Sequence, residues 1–132
     1  MAGPSFRFVS VAAALRGAPG EWAREMLHDG EVALQAGGDG LDALDEVARA
    51  LGLPAVLLIR GEPTPATQEE TVISFAGELP LVWAAASFGE RTRQWARGRG
   101  AMTLLVETAA PLTGEDRARI ERFIAALGRQ SE

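Results

Sequence analysis

Apolar and polar residues follow two different periods along this chain, and the period changes about ten times. Short apolar or β-branched runs indicate strands, and longer stretches with an apolar residue every third or fourth position indicate amphipathic helices. The two patterns alternate from one end of the sequence to the other. The predicted strands are 6–11, 31–35, 55–59, 81–86 and 101–106.

Helices are predicted between these strands. The clearest begins after Asp39 and ends at Gly52, with apolar residues at Leu41, Leu44, Val47, Ala48 and Leu51. A short helix over 21–28 places His28 at its carboxyl end. The capping pairs Ser87 with Glu90 and Thr113 with Asp116 begin two more helices, the first ending at Gly98. Trp22, Trp83 and Trp95 are expected in the core.

The stretch LPAVLLIRGEP, residues 53–63, is the one around which we expect the fold to be arranged. Residues 55–59 are an unbroken apolar run, which is typical of a strand covered on both faces at the centre of a parallel sheet. Leu57 and Leu58 should then be buried on opposite faces. The loop that follows lies at the carboxyl edge, where ligands gather in open α/β sheets.

Residues 65–77 allow two interpretations. Glu69 and Glu70 ahead of an apolar stripe favour a helix. The composition of residues 71–75 also suits a strand, which would form a hairpin with 81–86 and give a mixed-sheet α+β domain. We favour the helix, because the alternation elsewhere requires a crossover here.

The order of elements predicts one α/β domain over residues 1–132. Strands alternating with helices of this length form βαβ units with right-handed crossovers. We expect a flavodoxin-like (βα)5 domain, whose five-stranded parallel sheet has the order 2-1-3-4-5 and helices on both faces.

The amino-acid composition excludes several kinds of catalytic and metal-binding site. The chain has no cysteine, its 13 basic residues are all arginine, and His28 is its only histidine. Cysteine nucleophiles, Schiff-base lysines, the P-loop lysine and paired-histidine metal sites within one chain are therefore excluded. We expect no metal and no cofactor. The net charge of -5 argues against nucleic acid as the main partner. Without a membrane-length apolar run or a signal sequence, a cytoplasmic protein is predicted.

Several stretches resemble the receiver domain, the CheY-like module of response regulators. Residues 56–63 resemble the family's central strand and loop, and 38–44 the turn into its second helix. Residues 79–82, 100–106 and 112–127 resemble the fourth strand, the fifth strand and the last helix. The resemblance covers residues 30–128.

The departures from that family concern its chemistry. Ile59 stands at the position of the phosphoacceptor aspartate, alanines 12–14 stand where paired acids hold Mg²⁺, and Glu107 falls near the family's lysine. Phosphoryl transfer to a carboxylate needs the carboxylate, the metal and a cation. The resemblance therefore implies a pseudo-receiver, a non-enzymatic signalling or regulatory module that acts through protein–protein contacts without phosphorylation.

The expected working surface is a cluster of arginines in an otherwise acidic chain: Arg91, Arg93, Arg97 and Arg99. Arg93 and Arg97 are four apart and should share one helix face. Receivers dimerise and signal through the corresponding surface, so the resemblance implies a protein partner, with a second copy of the chain as one candidate. The alternative interpretation of the cluster is a solvated helix face.

A rival hypothesis places a small enzyme or ligand site at the carboxyl edge of the sheet. Its candidate residues are Arg60, Glu62, Ser87 and Glu107. Glu62 and Glu107 would there form a carboxylate pair. Ser87 lacks the G-x-S-x-G turn of a nucleophile, so we expect it to serve as a helix cap.

Overall fold

The computed structural model describes residues 5–16, 18–28, 30–35, 40–50, 52, 56–59, 61–108 and 111–130. Five strands form one sheet: β1 (Phe6–Val11), β2 (Gly30–Gln35), β3 (Leu57–Ile59), β4 (Leu81–Ala85) and β5 (Thr103–Glu107). All four strand pairs are parallel, which confirms the predicted α/β class with a five-stranded parallel sheet.

Six α-helices connect and follow the strands: α1 (Ala12–Leu15), α2 (Gly20–Leu27), α3 (Gly40–Ala50), α4 (Pro65–Ala76), α5 (Glu90–Arg99) and α6 (Gly114–Gln130). A 3₁₀ turn, Gly100–Met102, leads into β5. The helix prediction for residues 65–77 is confirmed, and the hairpin is wrong. Thr64 explains why this β-prone segment is helical, because its hydroxyl accepts from the Thr67 N–H at 3.1 Å and Pro65 occupies the first turn.

The strand order is β3-β2-β1-β4-β5, so the predicted order 2-1-3-4-5 is wrong. β1 is the central strand and β3 lies at an edge. After β3 the chain crosses back over β2 and β1 to reach β4, and the connections therefore change direction between β1 and β4. This is the arrangement of doubly wound nucleotide-binding sheets, whereas receivers place β3 at the centre.

The burial of β3 was also predicted wrongly. Leu57 is 46% exposed and Leu58 is 52% exposed, and only Ile59 of this strand is buried. β3 is three residues long and pairs only with β2, whereas β1 pairs over six residues with β2 and over four with β4. An apolar run predicts that its side chains are buried. It does not predict how many neighbouring strands pack against them.

Two hydrophobic clusters lie on opposite faces of the sheet. On the face we call the first, Phe6, Phe8, Leu34 and Val82 pack with residues of α1, α2, α3 and α6. On the second face, Val9, Ala33, Ile59, Leu81 and Trp83 pack against α4 and α5. Trp83 is buried, while Trp22 and Trp95 are partly buried against the clusters, in agreement with their expected core positions.

Four predicted helix ends can be compared with the structure. Thr113 and Asp116 form the predicted reciprocal cap, with N–H to side-chain distances of 3.1 and 3.0 Å. The Ser87 cap is wrong, because Gly89 is the N-cap of α5 and contributes no side chain. Gly98 does not end that helix either; Gly100 does, at a φ of 61° that glycine adopts without strain. His28 follows α2, as expected. None of the described helices is long and apolar enough to cross a membrane.

Candidate functional site

A concave surface lies between α4 and α5, on the second face of the sheet. It is a groove of about 690 Å³. Ile73 of α4 and Trp95 of α5 pack on the second-face cluster and give the groove an apolar floor. The α4 wall contains Pro65, Ala66, Glu69, Glu70, Ile73 and Ser74, and the α5 wall contains Gly89, Glu90, Arg91, Thr92 and Trp95.

Glu69 joins the two walls at one end of the groove. Its carboxylate accepts hydrogen bonds from the Gly89 N–H, at 3.1 and 3.3 Å to its two oxygens, and from the Thr92 hydroxyl. A carboxylate near a helix N-terminus satisfies free N–H groups and complements the helix dipole. Glu69 therefore supplies from α4 the cap that α5 lacks in its own sequence. A Cβ on residue 89 would lie 3.3 Å from this carboxylate, so glycine suits the position.

The rim of the groove is predominantly acidic. Glu69, Glu70 and Glu90 contribute three carboxylates, and Arg91 contributes the one cation among the lining residues. Glu70 and Arg91 form an ion pair across the groove at 3.5 Å, with 61% and 90% of their side chains exposed. Ion pairs this exposed contribute at most about 1 kcal/mol, so this one can be exchanged for contacts with a partner.

The four arginines of the predicted interaction surface all have acceptors within the chain. Arg91 contacts Glu70, and Arg97 binds Glu90 at 2.9 Å. Arg93 forms an ion pair with Glu107. Arg93 and Arg97 line the same shallow groove of about 480 Å³ beside β5, so their shared face is as expected. Arg91 lies on the other side of α5, in the groove shared with α4.

Arg99 has a structural position rather than an exposed one. Its guanidinium lies 4.8 Å from the centre of the Trp95 ring and donates to the Leu79 carbonyl. Burial lowers the pKa of Arg99 below its ordinary value, because a desolvated cation is disfavoured. Arg99 therefore ties the end of α5 to the turn before β4.

The sheet-edge candidates that the structure describes follow different strands. Glu62 follows β3 and Glu107 ends β5, at opposite edges of a five-stranded sheet. Four strand spacings, about 19 Å, separate β3 from β5. Glu62 accepts from the Thr71 hydroxyl at 3.2 Å, and Glu107 is held by Arg93. Ser87 is exposed after β4, and Arg60 lies outside the described residues.

The crevice between the carboxyl ends of β1 and β4 is where doubly wound sheets bind ligands. Two backbone hydrogen bonds are formed here by residues on either side of 109–110, which lie outside the described residues: the Thr108 N–H donates to the Ala85 carbonyl and the Leu112 N–H to the Ala14 carbonyl, both at 2.8 Å. Leu112 is buried against the first-face cluster. Ile59, the expected phosphoacceptor position, is a buried core residue.

No group of three or more His, Cys, Asp or Glu side chains within the described ranges has the geometry to hold a metal ion. The acidic side chains of the α4–α5 groove instead accept hydrogen bonds or pair with arginines.

The sequence prediction found Arg91 but missed the α4 wall of this groove. Glu69 and Ile73 are four residues apart, as are Arg91 and Trp95. This spacing puts each pair on one helix face. The signal was therefore present, but pairing the two helices requires the strand order, which places α4 and α5 side by side on the second face.

Comparisons with protein-family models, with curated proteins and with solved structures found no match.

Proposed function

We propose that this protein is a non-enzymatic regulatory module that binds a basic amphipathic segment of a partner protein in the α4–α5 groove. The observation that carries the proposal is the pairing of an apolar floor, Ile73 and Trp95, with a rim of three carboxylates. Apolar side chains of the partner would cover the floor, and its lysines or arginines would contact the rim.

The shape of the groove favours a helix as the bound segment. From Ala66 to Ser74 the α4 wall rises about 12 Å, roughly two helical turns. An amphipathic helix lying in such a groove presents apolar residues at i, i+3, i+4 and i+7 on one face and charges along its sides.

Charge favours a basic partner over an acidic one. The net charge of -5 attracts a cationic segment at long range. At short range, Glu70 and Glu90 engage arginines of their own chain through exposed ion pairs. Cations of the partner can replace these arginines at little cost. Glu69 remains the cap of α5.

The regulatory role follows the sequence prediction of a module that acts through protein contacts, but it does not depend on the receiver resemblance. The strand order differs from that of receivers.

The test uses a fluorescent synthetic helix of about four turns, with a leucine stripe flanked by lysine and arginine, and fluorescence anisotropy as the measurement. Ser74→Arg places a long side chain in the groove and should weaken binding at least about tenfold, or ~1.4 kcal/mol. Gln94→Arg is the matched control, because Gln94 is exposed on α5 outside the lining of the groove and the change in net charge is the same. A third variant, Arg91→Gln, should tighten binding by freeing Glu70.

The same helix with glutamate replacing its basic residues should bind much more weakly than the basic one. Equal losses in Ser74→Arg and Gln94→Arg would show that only net charge matters and would exclude the groove. Equal binding of the acidic and basic helices would exclude the stated partner chemistry.

A further inference from the structure

The exposed apolar side chains of this protein are concentrated on one strand. Among the described residues three large hydrophobic side chains are exposed, and two of them, Leu57 and Leu58, are neighbours on β3. The third is Met102, in the turn before β5. β3 is the first strand in the sheet order, so its outer side has no strand partner within the described part of the chain.

We propose that β3 is a homodimerisation edge, at which two copies join their sheets antiparallel around a two-fold axis. Because a two-fold contact uses the same surface on both copies, it closes at a dimer. The result is a continuous ten-stranded sheet. This surface lies apart from the α4–α5 groove, and the proposal does not rest on the function assigned to that groove.

The directions of the β3 side chains indicate that the element bound at this edge is a strand. Leu57 shares the second face with Ile59, and Leu58 points to the first face, since side chains alternate along a strand. A helix docked on one face would cover only one leucine. A strand added at the edge covers both and also satisfies the free backbone N–H and C=O groups.

A second copy fits this edge because the pattern is self-complementary. With the axis through Leu58, that residue faces Leu58 of the second copy, and Leu57 faces Ile59 of the second copy on the same sheet face. Each Leu57 then extends the second-face cluster of the other copy, which already contains Ile59.

The charges on the helix that precedes β3 are compatible with self-pairing. α3 joins β2 to β3 and exposes Asp45, Glu46 and Arg49 around one shallow surface. Two copies related by a two-fold axis can place the arginine of one against the acids of the other. A three-residue strand alone buries less than the ~800 Å² per partner of stable interfaces, so a dimer in the micromolar to millimolar range is expected.

The test exploits a chain that has no cysteine. In the proposed register two Leu58→Cys residues lie opposite each other, with Cβ atoms about 5 Å apart, close to disulfide geometry. Two Leu57→Cys residues are diagonal, about 7–8 Å apart. Under mild oxidation Leu58→Cys should form a covalent dimer about tenfold faster than Leu57→Cys or the exposed control Met102→Cys.

Sedimentation velocity over a concentration series tests the unmodified chain. The wild type should shift from monomer to dimer as concentration rises, Leu58→Lys should remain monomeric, and Met102→Lys should behave as the wild type. Circular dichroism confirms that each variant is folded. Equal cross-linking rates for the three cysteine variants, a wild type that stays monomeric near 1 mM, or a dimer unaffected by Leu58→Lys would each overturn the proposal.

Discussion

The two edges of this sheet differ in how they meet solvent. β5 is five residues long, its Leu105 packs on the second face and its Leu104 and Val106 on the first, and it ends in the charged Glu107. β3 is three residues long, has no charged residue, and exposes about half of each of its first two leucines. Edge strands of soluble proteins are normally blunted by charges or covered by other elements.

Within the described residues, the β5 edge ends in a charge and the β3 edge exposes apolar side chains. Arg93 of α5 pairs with Glu107, so helix and strand hold a charge at the end of β5. β3 has no corresponding pair within the strand itself. An open apolar edge is the feature expected of an interface, and the comparison therefore supports β3 rather than β5 as the site of self-association.

The largest expected loss of stability is at the centre of the sheet, which serves as the reference for both edges. Phe8 on β1 is fully buried in the first-face cluster. Phe8→Ala should lower the free energy of unfolding by about 3–5 kcal/mol, because it removes an aromatic side chain and leaves a cavity. Urea denaturation measures the change. A shift no larger than that of an edge substitution would mean that β1 is not the centre.

A smaller effect is expected at the open edge. Leu58 is 52% exposed, so Leu58→Ala removes about half of the burial energy of a leucine, or roughly 1 kcal/mol. Had β3 been central, as its apolar run predicted, the loss would be about 2–5 kcal/mol. Urea denaturation at low protein concentration keeps the monomer as the reference state. A loss of stability comparable to that of Phe8→Ala would mean that β3 lies at the centre of the sheet.

The two leucines also show which parts of the fold the sequence predicts. Periodicity identified all five strands, because each requires burial on at least one face. It could not order them, because each strand contributes buried apolar residues wherever it lies in the sheet, and strand neighbours are set by long-range pairing. The strand order is a property of long-range packing, and the order 2-1-3-4-5 came from choosing the more economical topology.

Of the candidate site, the sequence singled out Arg91 but predicted neither the α4 wall nor the contacts between the two helices. Arg91 stood out because arginine is clustered in an acidic chain, yet its partner Glu70 belongs to a different helix. Glu69 is likewise joined to Gly89 and Thr92 across 20 and 23 positions of sequence. Such contacts depend on two elements lying side by side, which neither capping rules nor periodicity describe.

The smallest expected change in stability is at the β5 edge. It tests whether the ion pair between Arg93 and Glu107 protects this edge. A double-mutant cycle on Arg93→Ala and Glu107→Ala should give a coupling of about 0.2–1 kcal/mol, since the two side chains are 47% and 46% exposed. The coupling should shrink at high salt, which screens exposed charges. Arg93→Ala alone should cost more than Glu107→Ala, because Arg93 also donates through Nε to the Phe88 carbonyl at 3.2 Å.

Thermal or urea unfolding of the four proteins at low and high salt provides the measurement. A coupling of zero at low salt would mean that β5 is protected by packing alone, and the contrast with β3 would then depend on coverage by α5 and α6 rather than on charge.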